Sequence, residues 1–200
     1  MKRLIAAAIS AALLLGGCAL TEDVVPIPFK PRGGAQIGEG VPVSVTVSDA
    51  RTTDRTRISN KVNGYGMEMA AIRANRNVDE IVREAFEAEL RARGFRIASG
   101  GAAASLAIVR FYSHFETGLF SGEAVADVQM HVSVKAADGS QLFDKDINVT
   151  GKQTGVQLAS GSNAAASLSD GIGQVFDALF NDAAFVAALK ARAVSTAANS

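Results

Sequence analysis

Apolar and polar positions alternate most plainly where Val41, Val43, Val45 and Val47 trade places with Pro42, Ser44, Thr46 and Ser48. A period of two puts the valines on one side of an extended chain, so this stretch reads as a strand with one buried face. Asp49-Ala50-Arg51 ends it, and a polar stretch follows to about Gly66. Residues 67–73 read as a second, shorter strand, with Met69 and Ala71 on one side. The period then changes. Val78, Ile81, Val82, Ala85, Phe86 and Leu90 recur at helical spacing, while Arg83, Glu84, Glu87 and Arg91 fall on the other faces. Asn77 is placed to cap this helix, Glu80 to answer it as in a capping box, and Gly94 to end it. Glu87 and Arg91 have the spacing and order of a weak ion pair.

Strands return over 95–98, 105–115 and 124–136. In the last of these Val128, Met130, Val132 and Val134 point inward, and Gln129, His131, Ser133 and Lys135 point outward. Asp138-Gly139 marks a hairpin turn to a further strand, on which Phe143, Ile147 and Val149 share a face. The tail is helical. Leu168, Ile172, Val175, Phe176, Leu179 and Phe180 form one stripe, Asn181-Asp182 breaks it, and a short helix carries Phe185, Val186 and Leu189. This order predicts an α+β fold: a single domain, mainly antiparallel sheet, with helices packed on one face.

The amino terminus has a different character. Lys2 and Arg3 precede an uncharged run from Leu4 to Leu15, too short to cross a hydrocarbon core of about 30 Å as a helix. A positive start, a short apolar stretch and small residues at its end describe a signal peptide. Leu15-Gly16-Gly17-Cys18 resembles the lipobox of bacterial lipoproteins, which places cleavage before Cys18 and lipid on its thiol. Cys18 is the only cysteine of the chain, so it has no intramolecular disulfide partner. The organisation expected is a signal peptide over 1–17, the lipidated cysteine and a tether over 18–40, a globular α+β domain over 41–192 and a flexible tail over 193–200. All four prolines, Pro26, Pro28, Pro31 and Pro42, lie in or beside the tether, among Gly33, Gly34, Gly38 and Gly40. A proline- and glycine-rich segment of this kind is expected to stand the domain off the membrane. The other reading has Ile27 and Phe29 packing along the domain or a partner.

Several features together resemble the YajG family of proteobacterial lipoproteins. They are the lipobox, the strand Val43-Ser44-Val45-Thr46-Val47 with Asp49 and Arg51 after it, and the helix ending Leu90-Arg91-Ala92-Arg93-Gly94-Phe95. The paired strands and the small-residue helix from Ser167 to Phe180 complete the pattern. The resemblance covers nearly the whole mature chain and implies an uncharacterised lipoprotein with no catalytic residues to transfer. Resemblance to the lipoproteins of enteric bacteria adds that Ala19, in place of Asp, directs the chain to the outer membrane, and the periplasmic face is expected.

Charge narrows the partners. The chain carries 20 basic and 20 acidic residues, and loss of Lys2 and Arg3 with the signal leaves 18 against 20. No basic stripe offers itself to nucleic acid, and no polybasic patch to anionic head groups. The partners expected are the membrane, through the lipid on Cys18, and an envelope protein.

Candidate chemistry is sparse. His114 and His131 are the only histidines and lack zinc spacing, no Gly-x-Ser-x-Gly occurs, and no glycine pair has a phosphate loop's lysine. Asp144 and Asp146 share one strand face, a polar surface more than an acid–base pair. Neither a cofactor nor a metal is expected. The candidate interaction surface is Asp49, Arg51, Asp54, Arg55 and Arg57, five charges in nine residues directly after a strand. A second group, Phe111, Tyr112, Phe115 and Phe120 around Gly118, reads as core or as an exposed docking patch. Two functions of different class stay open: a lipid-anchored, non-catalytic accessory component of an envelope assembly, and a periplasmic binding module for a small apolar or glycan ligand. An enzyme ranks below both.

Overall fold

The computed structural model describes residues 21–191, apart from 53, 64 and 117–120. The signal peptide, Cys18, Gly118, Phe120 and the expected tail lie outside the described residues. In chain order the elements are β1 (Asp23–Val25), β2 (Pro42–Asp49), β3 (Arg57–Val62), β4 (Glu68–Ala74), α1 (Val78–Ala92), β5 (Arg96–Ile97) and β6 (Ala102–Glu116). After them come β7 (Gly122–Lys135), β8 (Gln141–Val156), α2 (Gly161–Phe180) and α3 (Ala183–Lys190).

Five strands form the main sheet in the order β5-β2-β6-β7-β8, and three form a smaller one in the order β1-β4-β3. The long pairings, β6 with β7 and β7 with β8, are antiparallel, whereas β2 runs parallel to both β5 and β6. The alternation seen in the sequence becomes burial. Val128, Met130, Val132 and Val134 turn toward the helices, while Gln129, His131 and Ser133 lie on the open face. Strand β6 keeps the same division only because Val109 is an extra residue between Ile108 and Arg110 in the pairing with β7. That bulge lets Ile108 and Phe111, three apart, both face the core.

Helix α2 lies against β7 and β8, and the contact is tight because both partners lack side chains where they touch. A Cβ on Gly151 would come within 2.2 Å of the Ser167 carbonyl oxygen and 2.4 Å of the Gly171 nitrogen. Phe86 of α1, Phe176 and Phe180 of α2, Phe185 of α3 and Phe143 of β8 meet between the layers, with ring centroids 5.3–6.5 Å apart. The result is one α+β domain around one core. No single helix among the described residues is long and apolar enough to cross a membrane.

Gly94 ends α1 as expected, at φ +87°, where its N–H bonds the Arg91 carbonyl and the Phe95 N–H bonds that of Leu90. The capping box does not form. The Asn77 side chain makes no capping bond to the backbone, and its amide donates to Glu80 Oε1 at 3.2 Å. The polar stretch before β4 also contains a strand that hydropathy does not reveal. In β3 the consecutive residues Ile58, Ser59 and Asn60 are all buried, because it is covered on more than one side, and so no alternation results.

The expected tether is corrected over its described part. Residues 21–40 lie along the domain: β1 pairs in parallel with β4, Ile27 is buried, and Phe29 meets Phe176 edge-on at 5.4 Å. Arg32 bridges Asp170 and Asp177 of α2 at 2.6 and 2.5 Å. The Gly38 and Gly40 N–H groups bond the carbonyls of Arg93 and Gly94. Apolar side chains between the prolines, and donors with acceptors waiting on α1 and α2, outweigh the freedom that proline and glycine suggested.

Candidate functional site

The five charges singled out after β2 divide into an interior pair and a surface group. Asp49 and Arg51 form an ion pair at 2.6 Å with side chains only 5% and 7% exposed. The guanidinium also donates to the carbonyls of Arg55, Arg57 and Phe111, which ties the loop 50–57 to β6. Burial works against the ionised Asp49, but the hydrogen bonds from Arg51 outweigh it and hold the carboxyl below its usual range. This pair is a brace inside the domain and presents nothing to a partner.

Arg57 is the surface centre of the group. Its Nε donates to Asn60 Oδ1 at 2.8 Å, and its Nη2 pairs with Glu68 Oε2 at 3.0 Å across the β3–β4 hairpin. Three open hollows of about 420, 390 and 260 Å³ meet at this residue. One runs along β4 past Glu68 and Arg73, and the others pass Tyr112 and Arg110 on β6. Tyr112 is half-buried beside Arg57; burial raises its phenol above the ordinary value, and the Arg57 charge works the other way.

Next to Arg57, Arg73 joins two acids that are distant in sequence. Its Nε donates to Glu22 at 2.9 Å, and its Nη1 bonds Asp54 and the Thr56 hydroxyl. The hydrogen bond from Arg73 is the main cause that lowers both the Asp54 and the Glu22 carboxyls. Arg55 points back, its Nε donating to the Arg51 carbonyl. The surface is thus a mosaic of paired charges around a half-buried tyrosine. It is built to contact polar groups.

Other candidates sit elsewhere. Phe111 is buried and lies under the Arg51 guanidinium at 5.9 Å, and Phe115 packs against the core, so these two are not an exposed patch. His114 pairs with Glu116, and His131 stands on the open face of the main sheet between Asp146 at 2.9 Å and Asp144 at 3.5 Å. Among the described residues no group of three or more His, Cys, Asp or Glu could hold a metal ion. Sequence reasoning passed over Glu68, Arg73 and Asn60. The recoverable signal was Glu68 and Arg73, two opposite charges flanking the apolar run 69–72 of a short strand.

The profile of a family described as uncharacterised lipoprotein matches residues 31–190. The chain belongs to this family. The match supports the resemblance drawn from the lipobox and the strand–helix order, and it makes the chain a lipoprotein of the cell envelope. It also extends the family's territory ten residues upstream of the expected domain start, into the segment that lies along α1 and α2. The fold is shared with protein XCC0632 from Xanthomonas campestris, of the DUF330 family: 14% identity, TM-score 0.56, covering 84% of this chain and 96% of that one. A second crystal structure, of an uncharacterised protein, has 12% identity and a TM-score of 0.50, with 80% and 98% covered. A minor lipoprotein from Acinetobacter baumannii is more distant, at 8% identity, TM-score 0.40, and 68% and 90% covered. The sequence matches no curated protein.

Proposed function

We propose that this lipoprotein is anchored through lipid on Cys18 in the bacterial outer membrane, facing the periplasm, and acts there as a non-catalytic docking component of an envelope assembly. The carrying observation is the surface at Arg57. Three hollows converge on one half-exposed guanidinium, with Glu68, Arg73 and Tyr112 around it. Such a rim of paired charges about a tyrosine suits a protein partner with its own polar groups, because charge complementarity sets register and partner choice. The binding-module alternative needs space between sheet and helices, and there the rings of Phe86, Phe143, Phe176 and Phe185 meet.

The test is in-cell photo-crosslinking with a photoreactive residue at position 57, and at exposed Lys135 on the far side as control, in the lipidated chain. A discrete adduct at 57, absent at 135 and abolished by Arg73→Glu, is the expected result. Equal adducts at both positions, or none at 57 while the chain reaches the membrane, overturns the reading.

A further inference from the structure

The lipid anchor and the domain are separated by very little chain. Thr21 is already fixed: Lys61 Nζ donates to its carbonyl at 2.9 Å and pairs with Asp23 at 2.8 Å. Glu22 is held by Arg73, and the Gly161 N–H at the start of α2 donates to Asp23 Oδ2 at 3.0 Å. Between Cys18 and Thr21 stand three peptide units, which reach at most about 11 Å when fully extended. A domain so tied cannot stand away from the bilayer in which Cys18 is lipidated.

Register says which end lies nearest. Strand β1 runs parallel to β4 with Asp23 opposite Ile72, so the chain upstream of Asp23 points back toward the start of β4. Lys61, which holds Thr21, is paired with Ala70. From Ala70 to Met67 is three residues, about 10 Å along a strand. The reach from Thr21 to Cys18 therefore matches the distance to the tip of the β3–β4 hairpin.

That tip has an unusual surface. Tyr65 is 91% exposed and Met67 58%. The turn that presents them is well bonded: Asn63 Oδ1 accepts the N–H groups of Tyr65 and Met67 at 2.9 and 3.0 Å, and the Asn63 N–H bonds the Met67 carbonyl. Tyr65 and Met67 are two of the six large apolar side chains exposed among the described residues and share one turn, whereas Val24 lies opposite Arg73 at the far end of the hairpin. The neighbouring charges are matched as Lys61–Asp23, Arg73–Glu22 and Arg57–Glu68, so they give no net attraction to anionic lipid.

Given a lipid on Cys18, as proposed above, we infer that the domain rides directly on the bilayer with the β3–β4 hairpin tip set in the headgroup layer beside the anchor. Tyrosine suits that layer, with an apolar ring and a polar hydroxyl, and methionine adds apolar area. The Arg57 backbone, five residues away at the other end of β3, lies about 16 Å from the hairpin end, and its guanidinium reaches back along the strand to Glu68. The anchor supplies the affinity; the tip supplies orientation.

The chain has no tryptophan, so Tyr65→Trp provides a single fluorescent probe, and Leu142→Trp, at the far end of β8, provides its control. Full-length lipidated protein is reconstituted into vesicles of phosphatidylethanolamine and phosphatidylglycerol carrying lipids brominated near the headgroup. Both variants are checked for unchanged circular dichroism, and flotation and mass spectrometry read the anchor separately. The expected result is at least twofold quenching and a blue shift for Tyr65→Trp, with Leu142→Trp unaffected. Vesicle-bound, lipidated protein in which both probes are quenched equally, or neither is, overturns the orientation and leaves the anchor standing. Absence of lipid mass on Cys18 with no flotation overturns the anchor, and the orientation with it.

Discussion

The carboxylate of Glu89 and the main-chain N–H of Arg32 meet at 2.9 Å across 57 residues of sequence. Glu89 belongs to the last turn of α1, and its side chain is only 1% exposed. It also accepts from the Gly33 N–H at 3.1 Å and from Arg93 Nε at 2.9 Å, while the Arg93 guanidinium lies 4.2 Å from the centre of the Phe180 ring. One buried acid therefore joins the segment 31–34, the end of α1 and the end of α2. Breaking a buried pair leaves its partners unsatisfied, so Glu89→Ala is expected to cost about 3–5 kcal/mol. Urea denaturation reads that loss, and hydrogen exchange should show the Arg32 and Gly33 amides deprotected. Glu89→Gln keeps one acceptor and should lose less. A loss for Glu89→Ala below about 1 kcal/mol, the range of surface pairs, would contradict the arrangement.

The sheet, the three helices and their order were legible because their side chains follow a simple period: two in β2 and β7, 3.6 in α1 and α2. Glu89 was legible too, though unused. It falls on the buried stripe with Ala85, Phe86 and Leu90, and an acid on that stripe implies a partner. What composition could not show was nonlocal. β1 has three residues and pairs with β4 across nearly fifty, and its neighbouring prolines look like a linker until donors and acceptors on α1 and α2 are in place. At the candidate site, five adjacent charges suggested one surface. The buried Asp49–Arg51 brace separates them, and the surface is completed by Glu22 just before β1 and by Glu68 and Arg73 of β4.

Gly151 and Gly171 fix how closely α2 approaches β8. A methyl at 151 meets main-chain atoms of the helix, which cannot move aside as a side chain can. Gly151→Ala should therefore destabilise by about 1–3 kcal/mol through overpacking. The edge of β8 would loosen as well, where the Lys152 N–H bonds Asp170 and the Thr150 carbonyl accepts from Gln174. Gly139→Ala in the β7–β8 turn meets no atom at its Cβ but sits at φ +87°, where alanine is strained, so it should lower overall stability without singling out this edge in hydrogen exchange. Equal loss of protection in both variants would count against close packing as the cause.

Acid sensitivity follows from the Asp49–Arg51 brace. The folded carboxyl of Asp49 lies below its unfolded value of about 3.9. Its contribution is thus present above that value and lost as pH falls through the folded pKa. Urea midpoints measured between about pH 5 and pH 3 should fall for the native chain. In Arg51→Met, already less stable at neutral pH, burial is left unopposed and Asp49 protonates more readily when folded, so the acid-dependent loss should shrink. A steeper acid loss in Arg51→Met would reverse the sign and reject the brace.

His131 titrates on the open face of the sheet, opposite Asp146 in the β7–β8 pairing. The hydrogen bond that the imidazole donates to Asp146 is the largest influence and raises the imidazole above 6.5; slight burial opposes it, and the Asp144 charge assists. A raised folded pKa means that the attraction is fully present below the unfolded value and is lost as pH rises through the folded one. The group is exposed, so salt screens the effect and the readout is the titration itself. NMR should place His131 above 6.5, with Asp146→Asn moving it down further than Asp144→Asn and high salt moving it the same way. Above its pKa the neutral ring leaves Asp144 and Asp146 uncompensated along β8, the outermost strand of the sheet, where charge discourages another strand from adding. Asp144→Asn with Asp146→Asn should therefore increase self-association at neutral pH, when Lys145 is the only charge left between them. A double variant that stays monomeric at high concentration would show that the covering helix alone protects this edge.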